Sequence, residues 1–420
     1  MQRGIPAVAA VLGMALVLTA CSSNDDNKKP EETTPAASET ETPDAPAVSG
    51  KITVWVDETR INDFQDVIEK FKQDRGVDVE VVQKASGDIR TEFVQQVPTG
   101  EGPDVIIGAN DWLGELVSNG VVAPVELGDK AAQFSSGSIN AFSYEGKTYG
   151  VPYAVEAIGL VRNNKLANET PDTFDALIEQ GKELKTEFPV LIQQGDQGDA
   201  YHLYPLQTSF GSFVFKQNED GTYSDDLTLG GPEGEAWANY LQKLGKEGIL
   251  DASIGGDQAK EAFSAGKSAY MVTGPWYATE FVKEGMDISI LPIPSAGGQE
   301  SRPFAGYQGA YISSKSQNAL LANDFVVNFL STEEAADQIY ASGGRIPALT
   351  ASAAKITDTL AKGWADATAN GLPQPGSAAM NVVWSFWGAA QLDIASGKAG
   401  DPVKAWNTMV QNIEDGIKKG

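Results

Sequence analysis

One cysteine and one histidine stand among 420 residues. With Cys21 alone, no disulfide can form within the chain. A zinc site of several histidines or thiolates is excluded, and neither a metal nor a cofactor is expected. A Ser-His-Asp triad would have to use His202, yet no strand–Gly-x-Ser-x-Gly–helix context surrounds it. A cleft-lining or surface histidine is the expectation there. No Walker A sequence occurs, and no Gly-x-Gly-x-x-Gly follows the first strand pattern. Asp220, Asp225 and Asp226 gather near Gly221 without EF-hand spacing and read as a solvated loop. Positive charge is also short: 31 Lys and Arg stand against 57 Asp and Glu, for a net charge of −26. That balance argues against nucleic acid and against direct binding to an anionic membrane, and it suits solubility outside the cell.

The first apolar run, Ile5 to Leu18, follows Arg3 and is too short to span a bilayer comfortably. It ends at Leu18-Thr19-Ala20-Cys21, which resembles the bacterial lipobox. Residues 1–20 are therefore expected to be a lipoprotein signal peptide and Cys21 the lipidated N-terminus; the alternative is an ordinary secretory cleavage site. Several acyl chains make a stable anchor, at roughly 0.8 kcal/mol per buried CH₂. Residues 22–50 hold no aromatic side chain and are rich in Glu, Asp, Thr, Ser, Pro and Ala. Such a stretch cannot bury enough apolar surface to offset its ordering entropy, so it reads as an extended acidic tether. The expected location is the extracellular face of the cytoplasmic membrane, and the long tether suggests a Gram-positive surface.

The remaining length is more than one ordinary core and predicts two lobes. Strand and helix alternate from Lys51. Ile52 to Val56 reads as a strand; Phe64, Val67, Ile68 and Phe71 fall at helical spacing, with Asn62 as cap; Val77, Val79 and Val81 alternate; and Asp104 to Ile107 is a buried strand. The pattern restarts near Gly159, with strands at Val190–Ile192, Ser268–Thr273 and Ile288–Leu291 and helices at Thr173–Thr186 and Glu233–Lys246. From Asn318 the chain is mostly helical, apart from a Gly343-Gly344 turn and a Pro373-Gln374-Pro375 break. Two α/β lobes follow, each a mostly parallel sheet flanked by helices, with a cleft between them. Ligands of such sheets sit beyond the carboxyl ends of strands, so the loops after Val56, Ile107 and Ile192 are the informative ones.

Two carboxylates near those positions, Asp111 and Glu156, could be the acid and nucleophile of a glycosidase, which needs them roughly 5–9 Å apart. They could equally accept hydrogen bonds from sugar hydroxyls. Trp112, Tyr153, Tyr201, Trp276, Trp384, Phe386 and Trp387 recur near predicted loops. Their flat rings suit the C–H faces of sugars, although half of such a set is expected to be core. Composition does not choose between binding and catalysis.

Longer motifs add a resemblance. Thr99-Gly100-Glu101-Gly102-Pro103-Asp104 before an apolar strand, Val151-Pro152-Tyr153-Ala154-Val155-Glu156-Ala157, and Phe263, Gly266-Lys267, Ala269-Tyr270-Met271 with Gly274-Pro275-Trp276 stand in an order similar to that of the maltose/maltodextrin-binding protein family. Arg345-Ile346-Pro347-Ala348 and Met380 to Trp384 resemble its late ligand-side segments. The resemblance implies the type II fold of periplasmic binding proteins, an oligosaccharide ligand, the permease subunits of an ABC importer as partners, a monomer, and no catalysis. Its ligand residues fall on Asp111, Glu156 and Asp199 as hydroxyl acceptors and on Tyr201, Trp276 and Trp384 as stacking rings. Thr59 and Arg60 stand where the family has an acid and a lysine, and Trp112 where some members have a basic residue. Ser385 and Gly388 replace an aromatic and an arginine, while Tyr153 and Arg345 complete the candidate set. The lobes are expected at 51–154 with 309–353 and at 159–303 with 359–420, hinged at 154–158, 302–308 and 351–358. Another oligosaccharide (a cyclodextrin, a galacto- or xylo-oligosaccharide, an acarbose-like sugar), a secreted glycoside hydrolase and a lipoprotein adhesin remain the alternatives.

Overall fold

The computed structural model describes residues 50–218 and 223–419. Cys21, the signal and tether segments before Gly50, and Asp220 with Gly221 lie outside the described residues. No described helix is long and apolar enough to cross a membrane.

The first lobe begins with β1 (Lys51–Asp57), α1 (Ile61–Arg75), β2 (Asp78–Lys84), α2 (Ile89–Gln96), β3 (Val105–Ala109) and α3 (Leu113–Ser118). β1 pairs in parallel with both β2 and β3, as a βαβαβ order requires. α1 turns Phe64, Val67, Ile68 and Phe71 into the core at 3.6-residue spacing. It starts at Ile61, a residue before the expected Asn62 cap, and ends at Gly76, whose φ of 64° is the left-handed cap conformation. After α4 (Ser136–Ala141) and a small hairpin of β4 (Ser143–Tyr144) and β5 (Lys147–Thr148), β6 (Gly150–Ala157) joins the same sheet.

A single residue, Ile158, separates β6 from β7 (Gly159–Asn163), which begins a second sheet. That lobe carries α5 (Phe174–Glu183), β8 (Leu191–Ile192), α6 (Ala200–Thr208), the hairpin β9 (Phe215–Gln217) and β10 (Tyr223–Leu227), α7 (Gly231–Lys246), α8 (Gly256–Ser264), β11 (Tyr270–Thr273), α9 (Ala278–Lys283) and β12 (Ile288–Leu291). The chain then returns through β13 (Phe304–Ile312) to the first sheet and runs on through α10 (Ala319–Asn323), a π-helical turn, α11 (Glu333–Gly343), β14 (Ile346–Pro347) and α12 (Thr350–Ala354). α13 (Thr359–Thr368) lies back on the second lobe, with Trp364 in the cluster of Val161 and Ile290. After β15 (Leu372–Pro373), α14 (Ala378–Ala395) buries Met380, Val383, Trp387 and Ile394 in the second core, next to α15 (Pro402–Ile417).

Both sheets are mixed, not mostly parallel. In the first, order β14-β6-β13-β3-β1-β2 with β15 on β13, the strand β13 runs antiparallel to β3 and β6. In the second, order β12-β7-β11-β8, only β11 and β8 are parallel. The reversals at β13 in the first sheet and at β7 in the second occur where a strand enters from the other lobe, so that no crossover helix precedes it and the βαβ rule does not set its direction. The expected hinge segments 154–158 and 302–308 are largely strand. Ala157, Glu156, Val155 and Ala154 pair with Ala305, Gly306, Tyr307 and Gln308. The two connections thus form one hydrogen-bonded ribbon. In the third, α12 fills residues 350–354 and leaves 355–358 as the passage between lobes.

Candidate ligand-binding cleft

The loops after β1, β3 and β8 all open on one cavity of about 1450 Å³ between the lobes. Ordinary small-molecule pockets span roughly 300–1,000 Å³. On the first-lobe side, Thr59 and Arg60 follow β1, and Asp111 and Trp112 follow β3. The Trp112 ring folds back over Gly108, where a Cβ would stand 1.9 Å from the ring. On the second-lobe side, Asp199 caps α6 by accepting from the His202 N–H at 3.0 Å, which brings Tyr201 and His202 to the wall. Trp276 follows β11 and lies over Gly274 in the same way, its ring 2.0 Å from where a Cβ would be. Tyr201, His202, Trp276 and Tyr277 then meet edge to face in sequence, at 5.9, 5.7 and 6.2 Å between centroids.

Beneath the first-lobe wall runs a buried chain of charge. Arg60 donates to Asp57 and, at 2.9 Å, to Gln308 Oε1. Gln308 Nε2 donates to Glu156 Oε1 at 2.6 Å, and Arg345 Nε donates to Glu156 Oε2 at 2.7 Å. The Arg345 guanidinium also donates to Asp63 and, at 2.9 Å, to the Thr59 carbonyl. Burial pushes Asp57 up, but the Arg60 charge, the Thr59 hydroxyl and Arg345 outweigh it and hold the carboxyl below its ordinary value. Burial lifts Asp63 to about 6 against the pull of Arg345, with Glu156 adding to the lift.

Asp111 is differently placed. Oδ2 accepts from Trp384 Nε1 at 3.0 Å, while Oδ1 is buried with no protein partner. Burial raises this carboxyl, opposed first by the Arg90 charge and then by the Trp384 hydrogen bond. Asp199 is lowered instead: burial is outweighed by the His202 charge and by hydrogen bonds from His202 and Gln193, the latter at 2.6 Å. His202 Nδ1 comes within 2.8 Å of Asp199 Oδ2 but off the hydrogen-bonding direction, and its Nε2 has no protein partner.

Thr59, Arg60, Asp111, Trp112, Glu156, Asp199, Tyr201, Trp276, Trp384 and Ser385 all line this cavity. Tyr153 and Arg345 do not. Tyr153 is 3% exposed and meets Phe64 edge to face at 4.9 Å inside the first core, at the bulge where β6 pairs Pro152 with Gly309 and Ala154 with Gln308. Arg345, 1% exposed, lies behind Glu156 as its counter-ion. Trp387 is fully buried core, and Phe386 is exposed away from the cavity wall. Sequence reasoning missed Gln193, Gln308 and Tyr277. Gln193 and Tyr277 directly follow residues already singled out, Ile192 and Trp276, and Gln308 was hidden in a segment read as a connection. Among the described residues no group of three His, Cys, Asp or Glu side chains is placed to hold a metal.

Two α/β lobes joined by paired strands, with rings and carboxylates facing a shared cleft, define a two-lobed solute-binding protein. A family model described as bacterial extracellular solute-binding protein matches residues 66–369. The chain belongs to that family. Among its relatives, the galactooligosaccharide-binding protein of Bacillus subtilis (strain 168) is 27% identical over 384 residues, covering 88% of this chain and 90% of its own. The maltodextrin-binding protein MdxE of the same organism is 27% identical across 100% of this chain and 98% of its own. A solved structure, the Thermus thermophilus maltotriose binding protein bound with maltotriose, superposes with a TM-score of 0.81 at 26% identity, covering 87% of this chain and 100% of that one. The resemblance drawn from the motifs is borne out.

Proposed function

We propose that this chain captures malto-oligosaccharides outside the cell and delivers them, by closure of its two lobes, to the permease subunits of an ABC importer. One observation carries the reading: Trp112, Trp276, Trp384 and Tyr201 line the same cavity as Asp111, Glu156 and Asp199, with walls from both lobes. Rings cover the apolar faces of a sugar, and carboxylates accept from its hydroxyls. A ligand that touches both walls only when the lobes are together shifts the population toward closure. The paired strands at 154–157 and 305–308 and the passage at 355–358 are the places to absorb that rotation, between lobes 51–154 with 309–353 and 159–303 with 359–420. Lipid on Cys21 and the tether to Gly50 would hold the monomer at the extracellular face of the cytoplasmic membrane.

The chain binds without hydrolysing. A retaining glycosidase needs one free carboxylate to attack and one that holds a proton. Glu156 is instead fixed from behind as an acceptor, one oxygen accepting from Gln308 and the other from Arg345. Calorimetry with maltotriose, followed by chromatography of the recovered sugar, tests both halves. Heat of binding with intact sugar is expected; cleaved sugar would overturn the class. A thermal-shift panel that includes galacto-oligosaccharides and cyclodextrins then fixes the sugar, because a ligand specific to the folded state raises its melting temperature. A larger shift with a galacto-oligosaccharide than with maltotriose would move the assignment to the ligand named for the Bacillus relative.

A further inference from the structure

α14 belongs to the second lobe by its buried face, yet its first turns are fastened to the first lobe. Asn381 Oδ1 accepts from Arg90 Nη1 at 2.8 Å. One turn on, Trp384 Nε1 donates to Asp111 at 3.0 Å. The two positions are three residues apart and therefore share one face of the helix. Arg90 is itself held by Glu115 of α3, Nε to Oε2 at 3.2 Å. A third contact lies beside these. A Cβ on Gly114 would come 2.7 Å from the Gly376 carbonyl oxygen and 2.8 Å from the Ala378 nitrogen, so α3 and the start of α14 touch backbone to backbone. Asn110 adds a bond from its side-chain amide to the Gln374 carbonyl at 3.1 Å.

Arg90 does not line the cavity. Its charge nevertheless acts on Asp111, and its hydrogen bond fixes the helix that carries Trp384. We propose that Arg90 is a positioning residue of the cleft: through Asn381 it straps α14 to the first lobe, limits how far the ligand-free protein opens, and holds Asp111 and Trp384 in register for the sugar. The last part rests on the oligosaccharide reading; the strap itself does not. A strap that favours the closed state raises apparent affinity, because the observed dissociation constant is the intrinsic one divided by the competent fraction. It also aligns the one buried carboxylate oxygen in this wall that no protein donor satisfies.

The test compares Arg90→Gln, Asn381→Ala, Arg90→Lys and Gly114→Ala with the unaltered protein. Small-angle scattering without sugar reads the opening of the lobes, and calorimetry with maltotriose reads affinity. Arg90→Gln and Asn381→Ala are expected to enlarge the ligand-free radius of gyration and weaken maltotriose binding about tenfold, which is about 1.4 kcal/mol. Arg90→Lys recovers most of both, since a cation remains at the site. Gly114→Ala keeps every hydrogen-bonding group and favours the helix, yet it opens the lobes by wedging α3 from α14. Unchanged scattering in Gly114→Ala and Asn381→Ala would overturn the strap. So would a lowered melting temperature in Arg90→Gln with scattering and affinity intact, which is the mark of a merely structural residue. Failure of the unaltered protein to bind maltotriose would refute the ligand assignment alone and leave the scattering result standing.

Discussion

Replacing Arg345 by methionine separates a brace from a ligand contact. The guanidinium is 1% exposed and donates to Glu156 at 2.7 Å, to the Thr59 carbonyl at 2.9 Å and to Asp63. Methionine keeps much of the stem and removes the cation with all three bonds. Asp63 and Glu156, 2% and 5% exposed, then face each other, and the nearest remaining cation, Arg60, is already committed to Asp57. Breaking a buried ion pair by removing one partner costs about 3–5 kcal/mol. With an unfolding entropy of about 2.1 cal/mol/K per residue, a loss of about 4 kcal/mol lowers the melting temperature of a fold this long by roughly 5 °C. The penalty must also depend on pH. Asp63 already sits at about 6, above its unfolded value. Its contribution to stability is complete below that unfolded value and is lost as pH rises through 6. Without Arg345 the pull that opposes burial disappears, so Asp63 keeps its proton to still higher pH. The variant should therefore be much less stable than the unaltered protein at pH 7.5, and closer to it at pH 5, where neutral Asp63 leaves a single buried negative charge. Adding Asp63→Asn should recover stability at pH 7.5 for the same reason. Urea unfolding followed by tryptophan fluorescence at the two pH values reads all of this. If the variant matched the unaltered protein at both and lost affinity for sugar instead, Arg345 would touch the ligand and the brace would be refuted.

Trp276→Ala should weaken maltotriose binding at least about tenfold, because a stacking ring contributes on the order of a kcal/mol beyond its area; calorimetry that finds the affinity unchanged removes the ring from the site. Tyr153→Phe should leave affinity unchanged and stability equal or higher, since the hydroxyl is buried without a partner and its loss strands nothing. Weaker binding in that variant would return Tyr153 to the ligand. Cys21→Ser should abolish metabolic labelling with radioactive palmitate and move the protein from the membrane fraction to the medium. Retention at the membrane would point to an uncleaved apolar leader as the anchor.

Local pattern carried much of the fold. The buried stripe of α1, the strand β2, the helix α7 with Trp237, Tyr240, Leu241 and Leu244, and the breaks at Gly344 and Pro373 all lie where periodicity places them, although Val81 of β2 is exposed. Strand direction did not follow, because it depends on which lobe the chain has just left. β13 arrives from the second lobe and inserts between β3 and β6, antiparallel to both, and nothing local to Phe304–Ile312 encodes that. The same long-range pairing turned two expected loose connections into a ribbon. A segment that reads as a linker by position can thus be a strand by partner.

The site divides along the same line. Acids and rings directly after strand ends were legible, since the carboxyl ends of α/β strands are where a cleft forms: Asp111 and Trp276 stand just past β3 and β11, whereas Asp199, at the start of α6, came only with the family resemblance. Residues one layer back were not. Tyr153 and Arg345 sit in motifs as close to the cleft in sequence as Glu156 does, but Tyr153 stands at a bulge that breaks the alternation of β6, and an arginine's reach lets it approach an acid from behind as readily as from the front. Whether Arg345 meets Glu156 or the ligand is decided by Asp63, 282 residues away in sequence and beside it in the fold. Glu156 therefore enters the cleft with its charge already balanced, while Asp111 enters with one oxygen unmet. The two acids that the sequence presents as a matched pair differ in what they can still accept, and that difference puts the demand for a hydroxyl donor at Asp111.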